Sequence, residues 1–136
     1  QKDAQQAVII QRMVRDLNFP VRIEVCPTVR DKDGLALSSR NMYLLSQERT
    51  KASGIYRSLK AAKTLIQSGE RNPAVVIKNI KASIRQNVSP KIDYVECVDP
   101  QTLKPLKTIV SDCLIAVAVR LGQTRLIDNI VVKVSS

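Results

Sequence analysis

The fold is decided by residues 113–134, which read CLIAVAVRLGQTRLIDNIVVKV. Residues 113–119 are almost wholly apolar, which is typical of a strand that lies at the centre of a sheet and is covered on both faces. Residues 124–134 form a second predicted strand, and only a short turn at Gly122 separates the two. Because so tight a link joins antiparallel neighbours, the sequence predicts a hairpin here.

A third strand is predicted at residues 91–98, where the pattern alternates. One side of this strand is expected to carry Ile92, Tyr94, Glu96 and Val98. Two predicted helices precede it in the chain. The three strands and the two helices together predict an α+β fold, in which a small domain packs helices on a three-stranded antiparallel sheet.

Both predicted helices carry a start signal, and the spacing of their apolar residues gives each one a buried face. The first helix is predicted to begin at Ser46, as its N-cap, and to end at Gly69. Its inner stripe consists of Ala52, Ile55, Leu59, Ala62 and Ile66. The second helix has Asn72 as its N-cap and Pro73 as its first residue. Its buried face consists of Val76, Ile77, Ile80 and Ile84.

The amino-terminal part of the chain follows a different pattern. Residues 3–17 predict a helix with one buried face, formed by Val8, Ile9, Ile10, Met13, Val14 and Leu17. Residues 21–29 alternate and predict a strand. A helix followed by a strand at this loop length resembles the last unit of a doubly wound sheet. We therefore predict two parts: residues 1–28 are a remnant of a Rossmann-like nucleotide-binding domain, and residues 29–136 are a carboxy-terminal domain.

The composition excludes several classes of site. The chain has no histidine, so a histidine-based zinc site and a Ser-His-Asp triad are excluded within it. Its cysteines, Cys26, Cys97 and Cys113, form no CxxC pair and lie in apolar sequence, which predicts buried, reduced thiols in a cytoplasmic protein. No apolar run approaches the roughly 18–20 residues that a membrane span needs, so we expect no membrane partner.

The net charge of +10 indicates an anionic partner. Nucleic acid is one candidate, but proteins that bind it concentrate their basic residues and offer aromatic rings for stacking. Residues 1–50 hold eight basic and six acidic residues, residues 51–100 hold nine and four, and residues 101–136 hold five and two, with one Phe and three Tyr in the whole chain. This even spread favours a small anion such as a nucleotide phosphate. A stand-alone basic module for nucleic acid or another anionic partner is the alternative.

Two short clusters could hold a phosphate. The first is residues 2–6, KDAQQ, at a helix start, where free N–H groups and the helix dipole favour anions. Lys2 adds a full positive charge, and Gln6 lies one turn after Asp3. The second is residues 37–41, LSSRN, whose hydroxyls, N–H groups and guanidinium can wrap a polyphosphate. Each cluster also has a plain structural interpretation: a solvated first turn capped by Asp3, and a polar surface turn.

Four stretches carry a resemblance to a known family. They are KDAQQ at residues 2–6, PTVRDKDGLALSSRN at residues 27–41, DPQTLKPL at residues 99–106 and TRLIDN at residues 124–129. In order and spacing they resemble the carboxy-terminal portion of pantothenate synthetases, the pantoate–β-alanine ligases. A match over a fifteen-residue loop is far more specific than a short motif, and the resemblance covers essentially the whole chain.

The resemblance implies an ATP-dependent ligase that forms an amide bond and releases AMP. Pantoate and ATP give pantoyl adenylate and pyrophosphate, and the amine of β-alanine then attacks the adenylate to give pantothenate. The residues implied in ATP binding are Gln1, Lys2, Asp3, Val29, Leu37, Ser38, Ser39 and Arg40, and Gln6 is implied in pantoate binding. Leu37 stands where many relatives carry Met.

The catalytic residues that the resemblance implies are Lys2, Ser38, Ser39 and Arg40. Lys2 steadies charge on the α-phosphate, and residues 38–40 form a KMSKS-like loop that holds the β- and γ-phosphates. Asp3 sits with the ribose, and Val29 lines the adenine site. We therefore expect Lys2 and this loop to hold a triphosphate between them, where the Rossmann-like part meets a carboxy-terminal lid domain.

The resemblance also implies cofactors and partners. Mg²⁺ is expected on ATP and on the family's amino-terminal half, the intact enzyme is expected to be a cytoplasmic homodimer, and no nucleic-acid partner is expected. The amino-terminal half of the family contributes a His-x-Gly-His phosphate site, and this chain has no histidine. We therefore expect the chain by itself to be inactive.

Overall fold

The computed structural model describes residues 3–18, 20, 27–38, 40–41, 44, 46–87 and 91–134. This part of the chain forms the helices α1 (Ala4–Asp16), α2 (Ser46–Gln67) and α3 (Pro73–Asn87) and the strands β1 (Lys91–Val98), β2 (Cys113–Leu121) and β3 (Thr124–Val132). The predicted α+β class is confirmed. None of these helices combines the length and the hydropathy that a membrane crossing requires. Most of the strand predicted at residues 21–29 lies outside the described residues.

The strands form one antiparallel sheet in the order β1-β2-β3, so the apolar β2 is the central strand, as predicted. Leu121 pairs with Thr124, which leaves Gly122 and Gln123 as a two-residue turn. Strand β2 ends at Leu121, beyond its predicted end, and β3 ends at Val132, before its predicted end. The predicted hairpin is confirmed.

A β-bulge in β1 corrects the predicted facing of that strand. The register with β2 shifts between Ile92 and Tyr94, so Asp93 is an extra residue on β1. Ile92 packs against the same core as Val95, whereas Tyr94 lines a cavity on the other face of the sheet. The prediction that Ile92 and Tyr94 share a side is wrong, because one inserted residue reverses the alternation of the strand.

Helices α2 and α3 cover one face of the sheet through the apolar stripes that the sequence predicted. All five stripe residues of α2 are buried; on α3, Val76, Ile80 and Ile84 are buried, and Ile77 is partly buried. They pack with alternate residues of β2, namely Cys113, Ile115, Val117, Val119 and Leu121. Removal of this apolar surface from water is the main source of stability for a domain of this size.

The helix ends follow the sequence signals. Helix α2 begins at Ser46, and after it Gly69 adopts a φ of 126° while its N–H donates to the carbonyl of Ile66 over 3.1 Å. Asn72 caps α3, since its Oδ1 accepts from the N–H of Ala74 over 3.0 Å. These contacts satisfy backbone groups that a helix end otherwise leaves without partners.

Helix α1 touches the second face of the sheet through its first turn. Ala4, the buried residue of this helix, packs with Val98 and Leu114. Farther along α1, Ile9 and Met13 are 53% and 47% exposed. The predicted buried face of α1 is therefore not covered within the described part of the chain, because only the first turn of the helix reaches the sheet.

Candidate functional site

The segment from Val29 to Arg40 is a narrow loop whose two sides bond to each other. Arg30 and Ala36 form a bridge, and the N–H of Leu37 donates to the carbonyl of Val29 over 2.9 Å. Val29 and Leu37, both predicted to contact ATP, are thus neighbours, and they are 66% and 50% exposed. Gly34 forms the tip with a φ of 93°, where a side chain would collide with the ring of Tyr56.

Arg30 ties the base of this loop to β3. Its Nη1 donates to Oδ2 of Asp128 over 2.6 Å and its Nη2 to Oδ1 over 2.9 Å. Nη1 also donates to the carbonyl of Gly34 over 3.1 Å, and the guanidinium lies 3.9 Å from the centre of the Tyr56 ring. The side chains of Arg30 and Asp128 are 17% and 5% exposed, so the pair is largely withdrawn from water.

A second arginine holds the outer part of the loop. Arg49 of α2 donates to Asp33 over 2.6 Å and to Asp31 over 2.7 Å. Hydrogen bonds from the N–H of Lys32 and from Arg49 lower the pKa of Asp31, and the hydrogen bond from Arg49 lowers the pKa of Asp33. The acidic residues of this loop therefore neutralise Arg49 and hold the loop against α2.

The loop ends at the predicted phosphate-binding residues. Oγ of Ser38 accepts from the N–H of Arg40 over 3.2 Å, which closes a small turn. Arg40 is exposed, and its Nη1 lies 3.5 Å from the carbonyl oxygen of Arg125 on β3. The third member of the predicted loop, Ser39, lies outside the described residues.

The other predicted cluster lies at the start of α1. Asp3 is the N-cap, and its Oδ1 accepts from the N–H of Gln6 over 3.2 Å. Asp3 also lines a cavity of about 300 Å³ between α1 and the sheet, together with Tyr94. Gln6 is exposed, and Gln1 and Lys2 lie outside the described residues. The capping role proposed for Asp3 on structural grounds is confirmed.

A line of contacts joins the two clusters. Tyr94 lines the cavity beside Asp3, and the guanidinium of Arg125 lies 5.9 Å from the centre of its ring. The carbonyl of Arg125 in turn accepts from Arg40. Burial raises the pKa of Tyr94, so this ring stays a neutral phenol near neutral pH. Asp3 and Arg40 therefore lie at the two ends of one continuous surface on the sheet.

An open basic cleft of about 850 Å³ lies at the Arg40 end of this surface. Its charged lining residues are Arg40, Arg120, Arg125 and Glu48. Among the described residues there is no group of three or more His, Cys, Asp or Glu side chains that could hold a metal ion. The cleft is suited to an anion rather than to a bare cation.

Sequence reasoning missed Arg30, Asp128, Arg120 and Arg125 as members of this region. One of them had a usable signal: Asp128 is a carboxylate inside the apolar run LIDNIVV, and a buried carboxylate requires a cationic partner. Nothing in the spacing indicates which arginine supplies it, because a contact across 98 residues leaves no periodic pattern.

The fold and the site together define an α+β domain in which an anchored loop places Arg40 beside a basic cleft. The family model described as pantoate-beta-alanine ligase matches residues 1–131, so the chain belongs to that family. The chain is 51% identical over 135 residues to the pantothenate synthetase of Moorella thermoacetica, and the match covers 99% of this chain and 48% of that relative.

Solved structures agree with this assignment. A crystal structure of pantothenate synthetase from Thermus thermophilus matches 95% of this chain and 46% of its own with a TM-score of 0.88 and 43% identity. The pantoate-beta-alanine ligase of Francisella tularensis, solved with beta-gamma ATP and beta-alanine, matches with a TM-score of 0.60 and 30% identity over 95% of this chain and 40% of its own. The chain thus spans about half the length of the Moorella and Thermus proteins.

Proposed function

We propose that this chain serves the ATP-dependent condensation of pantoate with β-alanine and that it holds the nucleotide of that reaction. The observation that carries the proposal is the contact line from Asp3 through Tyr94 and Arg125 to Arg40. It brings the start of α1 and the Ser38–Arg40 loop onto one surface, as a shared nucleotide requires. The Francisella relative, whose structure contains beta-gamma ATP and beta-alanine, supports the choice of substrates.

The proposed reaction has two steps. In the first, a carboxylate oxygen of pantoate attacks the α-phosphorus of ATP, the bond to the β-phosphate breaks, and pyrophosphate leaves. In the second, the amine of β-alanine attacks the acyl carbon, a C–N bond forms, and the C–O bond to AMP breaks while the nitrogen loses a proton. The first step needs little proton transfer and much stabilisation of phosphate charge, so positioned cations and N–H donors supply most of the catalysis.

The roles of individual residues follow from this chemistry and from the resemblance. Lys2 steadies the α-phosphate, and the Ser38–Arg40 loop holds the β- and γ-phosphates. Asp3 meets the ribose, Gln6 meets pantoate, and Val29 lines the adenine site together with its neighbour Leu37. The exposure of Val29 and Leu37, side by side on the loop, supports an apolar platform for a base.

The Arg30–Asp128 ion pair supports the proposed role of the Ser38–Arg40 loop, because it anchors the segment that leads into that loop. A phosphate-binding loop contributes to catalysis only if its donors keep their positions when the charge develops. The ion pair holds the loop to β3, and the ring of Tyr56 and the Arg49 contacts hold it to α2. Arg40 is thereby presented at the end of a segment that is already ordered.

Magnesium remains a prediction of the resemblance. Three carboxylates at the loop are each paired with arginine: Asp31 and Asp33 with Arg49, and Asp128 with Arg30. With no metal-ligating group of three among the described residues, the described part of this chain does not fit a magnesium site of its own. The contribution of this chain to the steps above therefore comes from arginine, lysine and N–H donors.

We also propose a division into two parts near residue 28, a homodimeric whole enzyme and a cytoplasmic location. The division is supported by the main core cluster, whose members all lie between Leu35 and Val134. The location is supported by the free, buried thiols of Cys97 and Cys113, which are typical of reducing compartments. The dimer rests on the resemblance alone.

The direct test is a chimera in which this chain replaces the matching half of the Moorella synthetase. We expect AMP release that depends on both pantoate and β-alanine, and no such release from the chain by itself.

Arg40→Ala in the chimera is expected to lower kcat roughly a hundredfold to a thousandfold, which is the effect of removing one charge-stabilising donor. Arg85→Ala, at an exposed position in the last turn of α3, is the matched control and should leave kcat unchanged. A folded chimera without AMP release would refute the proposal.

The alternative, a basic module for nucleic acid, makes a different prediction. Such a module binds RNA or DNA with an affinity that falls steeply as salt increases. Filter binding of the chain to a single-stranded RNA oligonucleotide at low and high salt separates the two. We expect no saturable binding at either concentration.

A further inference from the structure

Two arginines face each other as a cross-strand pair on the β2–β3 hairpin. Arg120 and Arg125 are directly opposite each other across the strands. Like charges in this position repel each other and destabilise a sheet. Both lie in the lining of the basic cleft together with Arg40, whose Nη1 lies 3.5 Å from the carbonyl oxygen of Arg125.

The bulge in β1 supplies the group that holds the two arginines together. Oδ2 of Asp93, the extra residue of that strand, accepts from Nε of Arg120 over 3.1 Å and from Nε of Arg125 over 2.9 Å. The hydrogen bond from Arg120, followed by the one from Arg125, lowers the pKa of Asp93. A single carboxylate thus offsets one of two positive charges and orients both side chains.

With respect to the described residues, the terminal nitrogens of both guanidiniums stay available. Asp93 occupies only the Nε of each, and no hydrogen bond from Nη1 or Nη2 of Arg120 or Arg125 is made to any described residue. The two side chains are 52% and 42% exposed. Planar, outward guanidinium forks held at their inner edge suit the paired oxygens of a phosphate.

We infer that Arg120 and Arg125 bind the pyrophosphate portion of the nucleotide, together with Arg40 in the same cleft. The identity of this ligand rests on the function proposed above. The two guanidiniums contact the β- and γ-phosphate oxygens and offset the charge that pyrophosphate acquires when its bond to the α-phosphorus breaks. The hairpin thereby forms the second wall of a phosphate site whose first wall is the Ser38–Arg40 loop.

Calorimetric titration of this chain with inorganic pyrophosphate at low salt tests the inference. We expect Arg120→Gln and Arg125→Gln each to weaken binding roughly fivefold to tenfold, the loss of one charge-assisted contact at a solvent-exposed site. Arg85→Gln removes the same charge from an exposed position on α3 that is not part of the cleft lining and should change the affinity less than about twofold, because an exposed charge that does not contact the anion contributes little. Thermal melting followed by circular dichroism confirms that each variant is folded.

A second substitution guards against a folding defect. Arg120→Lys keeps the charge beside Asp93 but loses the paired donors, so we expect it to fold like the wild type and bind pyrophosphate roughly threefold more weakly. Three outcomes would overturn the inference. They are wild-type affinity in both hairpin variants, an equal loss in Arg85→Gln, and no binding by the wild type up to about 10 mM pyrophosphate.

The pyrophosphate titration and the chimera assay test different claims, so their results can be told apart. If both glutamine variants lose pyrophosphate while the folded chimera releases no AMP, the anion site stands and the proposed ligase function falls. If the chimera is active and both variants bind pyrophosphate as the wild type does, the function stands and the hairpin subsite falls. Arg40→Gln, measured in the same titration, reports whether the first wall binds the same anion.

Discussion

Arg30 and Asp128 lie 98 residues apart in the chain and form a two-point ion pair, with donor–acceptor distances of 2.6 and 2.9 Å. The pair joins two stretches that the resemblance had matched separately, the loop PTVRDKDGLALSSRN and the strand segment TRLIDN. Their joint presence in one family therefore has a structural reason. The strand segment anchors the loop that presents Arg40.

Asp128→Asn is expected to destabilise the chain. The substitution keeps the shape of the side chain but leaves the largely buried guanidinium of Arg30 without a counter-charge, which costs about 2–4 kcal/mol. Urea unfolding followed by circular dichroism measures the change. Asp16→Asn breaks the exposed Arg15–Asp16 contact, whose side chains are 70% and 64% exposed, and should change stability by less than about 0.5 kcal/mol. Equal effects of the two substitutions would contradict a structural role for Asp128.

Gly34→Ala is expected to be more destabilising than Gly69→Ala. Both glycines have positive φ, 93° and 126°, but a Cβ at Gly34 would collide with the ring of Tyr56, whereas nothing lies within 4 Å of a Cβ at Gly69. Gly69→Ala therefore reports backbone strain alone, of about 1–3 kcal/mol. The collision should add about 1–3 kcal/mol at Gly34. Similar unfolding free energies for the two variants would show that the Tyr56 ring moves aside at no cost.

The Arg49 contacts predict a specific dependence of stability on pH. Because Asp31 and Asp33 have lowered pKa values in the folded chain, they contribute stability that is complete above about pH 4 and is lost as the pH falls through the folded values. Arg49→Gln removes the partner of both. The variant should therefore lose less stability than the wild type between neutral pH and about pH 3. Urea unfolding at several pH values measures this, with Arg85→Gln as the control of equal charge, and parallel curves for wild type and Arg49→Gln would count against it.

The thiols of Cys97 and Cys113 should be protected from reaction. They are 3% and 0% exposed. Donation of its proton to Cys97, together with burial, raises the pKa of Cys113, whereas the same hydrogen bond lowers the pKa of Cys97, so the protection of both thiols depends on burial. Since buried structural thiols are inert until the chain opens, we expect Ellman's reagent to label these two positions at the rate of unfolding in a Cys26→Ser variant. The rate should therefore increase with urea. Fast labelling of the native chain without urea would show that the core opens locally.

Much of the carboxy-terminal fold could be predicted from local patterns. The apolar β2, the turn at Gly122 and the stripes of α2 and α3 each depend on neighbours within a few residues, so the sequence displays them directly. The bulge at Asp93 could not be predicted, because residues 91–98 also satisfy an unbroken alternation. The exposure of Ile9 and Met13 has a related cause: periodicity indicates which residues favour burial and not whether a surface is present to cover them.

The sequence singled out the loop residues of the candidate site, but it did not single out the residues of the β2–β3 hairpin that lie beside them. Motif matching found Ser38 and Arg40, because they lie together in one short stretch. It did not find Arg120 or Arg125, since their role depends on Asp93 from another strand and on a register that the sequence does not display. The predicted phosphate contacts of Lys2, Ser38, Ser39 and Arg40 stay predictions, and Lys2 and Ser39 also lie outside the described part of the chain.

The long separation between Arg30 and Asp128 also bears on synthesis of the protein. A ribosome adds roughly 5–20 residues per second, so the aspartate is joined to the growing polypeptide roughly 5–20 s after the arginine. During that interval the guanidinium has no counter-ion from β3, and the loop lacks its link to that strand. The loop that precedes Arg40 therefore completes its contacts late, after α2, which holds Arg49 and Tyr56 against it, has already been translated.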